Sequence, residues 1–198
     1  MNIVSLIYIL ILLASVVLHE LAHGYTADRL GDPTARLQGR ITLNPLAHLD
    51  WLGSFMVPGL LLLSGAPFVF GWAKPVPFNP YNLRNPKRGG ALIAVMGPVT
   101  NLLIAGIAAL VLSFVDPSPV LALILQGTVI INIALAVFNL VPIPPLDGHH
   151  ILFALLPDSF DDFKDSLRRV AWPLVIIFIM FGWRLIEPII FFLYELFV

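Results

Sequence analysis

No cysteine occurs among the 198 residues, which excludes a disulfide framework, a cysteine-type zinc site and a thiol nucleophile. Charge is scarce as well: 12% of the chain is charged, against about 25% in an ordinary soluble domain. With 59% hydrophobic residues, a soluble globular enzyme and a disordered tail are both excluded. A net charge of −1 leaves no broad basic surface, so nucleic acid is not an expected partner. The scarcest ionisable side chain is Glu, with only Glu20, Glu187 and Glu195. Glu20 stands inside the first apolar segment, where a carboxylate is costly. What remains is a chain whose main solvent is the lipid bilayer and whose chemistry rests on His, Asp, Glu, Asn and hydroxyls.

The patterning predicts an all-α polytopic bundle, a single domain over residues 1–198. A first helix over 2–30 ends at Gly31-Asp32-Pro33. It lacks a basic leader and a small-residue cleavage site and is expected to be retained. The run at 49–65 is short for a bilayer that needs about 20 apolar residues. It is interrupted by Pro58-Gly59 and reads as re-entrant or as a short span. Spans follow over 89–115 and 119–141, then a proline-broken stretch, a helix over 147–156, an amphipathic interfacial helix over 158–170 and a last span over 171–196. Residues 40–44 and 72–78 are candidate short edge strands beside the site, able to receive an extended peptide by strand addition. If 49–65 is re-entrant, ten of the eleven Lys and Arg residues share one side. The positive-inside rule makes that side the cytoplasm and the chain a multi-pass cell-membrane protein with an external N-terminus.

Within the first helix, His19-Glu20-Leu21-Ala22-His23 is an HExxH sequence. At i, i+4 the two imidazoles share a helix face and can bind one Zn²⁺, while Glu20 is rotated by about 100° to stand beside a metal-bound water as general base. Chance composition gives roughly 0.002 such matches in a chain of this kind. Catalytic zinc takes three protein ligands and one open position. The remaining Glu residues lie at the far end of the last span, and Thr26 and Arg29 occupy the positions where a metzincin carries Gly and His. Asp147, next to the proline break, is the candidate: by helix rise it lies at the depth of His19 and His23. Zn²⁺, Asp147 and Glu20 together sum to zero charge, which lowers the cost of a site in hydrocarbon.

His19-Glu20-x-x-His23, the segment Gly97-Pro98-Val99-Thr100-Asn101, and residues 139–148, reading Asn-Leu-Val-Pro-Ile-Pro-Pro-Leu-Asp-Gly, resemble the motifs of the site-2 protease family of intramembrane zinc metalloproteases (peptidase family M50). The likeness runs over residues 15–156 and is closest to the compact prokaryotic type without a PDZ or CBS domain. It implies one Zn²⁺ per chain held by His19, His23 and Asp147, and Glu20 as catalytic acid/base. It also implies single-pass transmembrane proteins or peptides as substrates, cut within the bilayer nearer the cytoplasmic side. Asn139 and Asn101 are candidates for stabilising the oxyanion or the substrate backbone. A hydrogen-bonding role between helices is the plainer alternative for both. His48 reads as a turn residue, and His149 and His150 as neighbours of the site rather than ligands.

Two other classes compete. A metal-ion carrier could use the same His19, His23 and Asp147, but it has no need of Glu20, and no internal repeat typical of carriers is found. A catalytically inactive scaffold is disfavoured because no ligand is missing.

Overall fold

The structure is a computed structural model that describes residues 2–64 and 71–198. Helix α1, Ile3–Arg29, begins where the Asn2 side chain accepts from Ser5 N at 2.9 Å. It ends in a Schellman turn: Gly31 has φ +104°, its N–H reaches Asp28 O, and Asp32 N reaches Ala27 O. A short helix, α2 (Thr34–Leu37), follows. Gly39, the other positive-φ position among the described residues, turns the chain back toward α1.

A 3₁₀ turn at Pro45–His48 leads to an excursion, with wide π-type turns over Trp51–Met56 running into α3, Val57–Leu63. The start of the excursion and the chain after it are pinned together. Leu49 and Ala73 form an antiparallel bridge, Lys74 N donates to His48 O at 2.8 Å, and Trp72 N donates to Gly53 O at 3.1 Å. Residue 65, the last of the run read as re-entrant or short span, lies outside the described residues. The short strands expected at 40–44 and 72–78 are a correction. Among the described residues this isolated bridge stands alone and no sheet forms, since Pro75 and Pro77 have no N–H to give to a ladder.

Helix α4, Pro86–Phe114, starts with an Asn85 cap on Arg88 N and Pro86 at its first position. Helix α5, Pro119–Asn139, starts in the same way with Ser118 and Pro119. The proline-rich turn then leads to α6 (Gly148–Leu155), a 3₁₀ turn and α7 (Asp161–Arg169). Phe163 of α7 and the flanking Phe160 and Val170 stay exposed. Helices α8 (Ala171–Ile177) and α9 (Trp183–Phe197) form one continuous rod through a π-type segment at Phe178–Gly182.

Among the described residues four helical rods are long and apolar enough to cross a membrane: Ile3–Arg29, Pro86–Phe114, Pro119–Asn139 and Ala171–Phe197. The chain is a multi-pass membrane protein solvated by lipid. Its core shows what holds helices together when lipid is as apolar as leucine. Ala105, Ala108 and Ala109 let α4 come close to Val129 and Ile133 of α5 and to Ile186 and Ile190 of α9. Helix α1 runs alongside α5, with Ser15 bonded to Asn132, and antiparallel to α4, with His19 bonded to Asn101 and His23 to Ile93.

Candidate metal centre

Ser15, His19, His23 and Ala27 recur at i+4 along α1 and are all buried, so both imidazoles face the protein rather than lipid. His19 Nε2 and His23 Nε2 lie 3.0 Å apart. Asp147 Oδ2 lies 3.0 Å from the first and 3.2 Å from the second. Asp147 reaches this position because the turn after α5 ends there and α6 begins at the next residue. Gly148 permits the tight approach: a Cβ on it would sit 2.2 Å from Leu140 O. Gly97 serves the same purpose on α4, where a Cβ would sit 2.5 Å from both His19 Cε1 and His23 Nε2.

The tautomers follow from backbone carbonyls, which can only accept. His23 Nδ1 donates to Ile93 O at 2.7 Å, so His23 Nε2 carries a lone pair. For His19 the logic passes through two amides. Asn132 Nδ2 donates to Thr128 O (2.9 Å) and to Ser15 Oγ (2.9 Å), so Asn132 Oδ1 accepts from Asn101 Nδ2 at 2.8 Å. Asn101 Oδ1 is thereby the acceptor for His19 Nδ1 at 2.6 Å, and His19 Nε2 is also a bare lone pair. Three unprotonated ligand atoms thus converge, and Asp147 Oδ2 is buried without a hydrogen-bond donor. Such an arrangement is repulsive without a cation between them. Tetrahedral zinc with bonds of about 2.0–2.1 Å holds its ligand atoms about 3.3 Å apart, close to the separations here. The residues fit the metal, and His19, His23 and Asp147 form the one group of three such ligands among the described residues.

Glu20 is half-buried, and its Oε2 accepts from Val76 N at 2.7 Å. Asn101 is 0% exposed; its Oδ1 accepts from His19 Nδ1 at 2.6 Å and its Nδ2 donates to Asn132 Oδ1 at 2.8 Å, so it links α1, α4 and α5. Asn139 is half-buried at the end of α5, with Nδ2 donating to Leu135 O at 3.0 Å. His149 Nδ1 donates to Leu146 O. The His150 ring lies against His149, with centroids 3.9 Å apart, and against Phe78. His48 is buried and bonds Thr42 O, and Asp50 caps Gly53 N. Asn132, Ser15 and the Val76 N–H escaped the sequence reading. A signal existed for the first two: Asn132 is a buried-type amide in a charge-free span, and Ser15 lies one turn before His19 on the same stripe.

Compared with known proteins, residues 120–182 match the family model described as Peptidase family M50. The chain is 40% identical over 158 residues to YwhC of Bacillus subtilis, which bears a zinc metalloprotease name; the match takes in 75% of this chain and 68% of that protein. Rip2 of Mycolicibacterium smegmatis, with a name of the same kind, is 31% identical over 144 residues, 71% of this chain and 53% of its own length. The zinc metalloprotease MJ0392 of Methanocaldococcus jannaschii is 27% identical over 175 residues, 87% of this chain and 42% of its own length. The chain therefore spans about half or less of the latter two relatives. No solved structure matches it. The converging ligand atoms and the likeness to YwhC across more than two thirds of that protein lead to one conclusion: the chain belongs to peptidase family M50 and is a zinc metallopeptidase.

Proposed function

We propose that this metallopeptidase is an intramembrane endopeptidase that hydrolyses peptide bonds of transmembrane substrates, with His19, His23 and Asp147 holding zinc and Glu20 moving the proton. The observation that carries the reading is the position of His19 and His23 within the membrane-spanning helix α1, with Asp147 brought to them by the turn between α5 and α6. By helix rise, His23 and His19 lie about 9 and 15 Å from the C-terminal end of α1, inside a hydrocarbon layer of about 30 Å. Zinc, when bound, supplies Lewis-acid polarisation of the scissile carbonyl and makes a water acidic enough to lose its proton near neutral pH. Glu20 takes that proton as the water oxygen bonds to the carbonyl carbon. It then delivers the proton to the amide nitrogen as the C–N bond breaks, leaving a carboxyl and an amine terminus. Asn139, at the mouth of the proline-rich turn, is the candidate donor to the carbonyl oxygen.

Two features support the orientation. The pinned ends of the excursion through Trp51–Leu63 are what a re-entrant hairpin requires. With it re-entrant, ten of eleven basic residues fall on one side, which is then cytoplasmic. The C-terminal end of α1 is on that side, so the site lies in the cytoplasmic half of the bilayer.

The test uses the zinc-loaded full chain in detergent and a fluorogenic peptide of about 20 apolar residues with a central Pro-Gly break, a generic transmembrane helix that unwinds readily. Glu20→Gln is expected to retain zinc and lose roughly 10²- to 10⁴-fold in kcat. Unchanged cleavage would overturn the reading, and zinc flux into proteoliposomes that survives Glu20→Gln but not His23→Ala would replace it with a metal carrier.

A further inference from the structure

Residues 71–78 cross α1 as an extended strap, and the way it is built makes one backbone group special. Pro75 and Pro77 have no N–H, and a residue before proline is driven to extended geometry. Val76 is therefore the lone donor between Lys74 and Phe78, presented on a stiff Pro-Val-Pro unit. That donor goes to Glu20 Oε2 at 2.7 Å, while Glu20 Oε1 makes no hydrogen bond among the described residues.

The strap is anchored from several directions. Arg40 Nη2 donates to Lys74 O at 2.9 Å and to Pro75 O at 3.2 Å. Lys74 N is held by His48 O, and Asn79 N by Asp32 Oδ2 at 2.6 Å. Gly24, one turn after Glu20, gives the strap room: a Cβ there would come within 3.2 Å of Val76 Cγ1 and of Ile41 Cγ1. Arg40 is the costly part. It is 8% exposed, forms no ion pair with an acidic side chain among the described residues, and its Nε is buried without a partner. A buried guanidinium without a carboxylate is destabilising, and here its gain is the fixed course of the strap.

We infer that the strap positions Glu20 for catalysis: the Val76 N–H holds one carboxylate oxygen, leaving Oε1 to face the reacting water, and Arg40 is the positioning residue that keeps the strap in register. The inference rests on the proposed role of Glu20. It assigns work to three groups outside the metal centre, namely a backbone amide, a guanidinium and the space at Gly24.

The test uses the zinc-loaded full chain and the same fluorogenic peptide. Arg40→Ala is expected to lower kcat roughly 10- to 100-fold with KM within about twofold, the cost of a misaligned reacting group, and zinc stoichiometry should not change. Arg40→Lys, which keeps one donor, is expected to recover part of the loss. Replacing Val76 with its α-hydroxy analogue, which deletes the N–H and keeps the side chain, should give a kcat loss of the same order; it weakens the Pro75 carbonyl as an acceptor but leaves the shorter bond of Arg40 to Lys74 O in place. Wild-type kcat in both variants would overturn the inference. So would a rise in kcat, which would make the strap a lock, a rise in KM alone, which would make it a substrate seat, or zinc loss parallel to activity loss. If Glu20→Gln is inactive while the strap variants run at full rate, only the inference fails. If Glu20→Gln is fully active, the functional reading itself fails.

Discussion

The two halves of α1 have different tasks. No residue of α1 before Ser15 is buried, whereas Ser15, Val17, His19, Leu21, His23, Gly24 and Ala27 are. Apart from Tyr8 and Ile11, which pack against Gly127 of α5, the outer half is specified by being apolar, because lipid tails solvate Leu10 or Leu12 as well as a neighbouring helix would. The inner half is specified atom by atom, by small residues that let backbones approach and by polar groups that must find partners. In a membrane protein the informative residues are therefore the few that lipid cannot satisfy.

The sharpest break in that comparison is Gly97→Ala. Its Cβ would overlap His19 Cε1 and His23 Nε2 at 2.5 Å, so α4 must move away from the ligands, and elemental analysis of the purified protein should find zinc largely lost. Asn132→Ala should be milder. It leaves the ligands in place but removes the amide that orients Asn101 and through it His19, and zinc affinity in chelator competition is expected to fall roughly 10- to 100-fold.

A smaller effect is expected at Asp32, just beyond the end of α1. Burial raises its pKa, but hydrogen bonds from Thr34, Asn82 and Asn79 outweigh that and hold it below the ordinary aspartate value. The folded state thus prefers the carboxylate. This stabilisation is complete above the ordinary aspartate range and is lost as pH falls through the depressed value. Thermal melts in detergent should lose stability toward acid pH in the wild type, with a weaker slope in Asp32→Asn, which should cost about 1 kcal/mol at neutral pH. Smallest of all, Leu10→Ala on the lipid face should change stability by no more than about 0.5 kcal/mol and leave zinc content unaltered.

Much of the site was legible because its constraints are local. The i, i+4 spacing of His19 and His23 puts them on one helix face wherever the helix goes, and the scarcity of Glu directed the search for a third ligand to Asp147. Helix ends were legible for the same reason: Gly31 carries the positive φ that ends α1, and Asn85-Pro86 and Ser118-Pro119 open α4 and α5. The sequence left Asn101 between two roles because its partner, Asn132, lies 31 residues away on another helix, and an amide's role depends on which acceptor it meets. The same holds for residues 72–78. They read as a short extended edge strand, but two prolines and the clamp from Arg40 make them a strap over Glu20.

By itself, then, the sequence determined that the chain lives in a bilayer, where its helices start and stop, and which few ionisable groups carry the chemistry, because apolar length, capping and i, i+4 spacing act within one segment. Only the tertiary structure decided the tautomer of His19, the bare Asp147 oxygen facing both imidazoles and the Val76 donor on Glu20. Each of these depends on a hydrogen bond or a close approach between segments 31 to 128 residues apart, and hydrogen bonding has a reach of about 3 Å, so these partners exist only once the helices have packed.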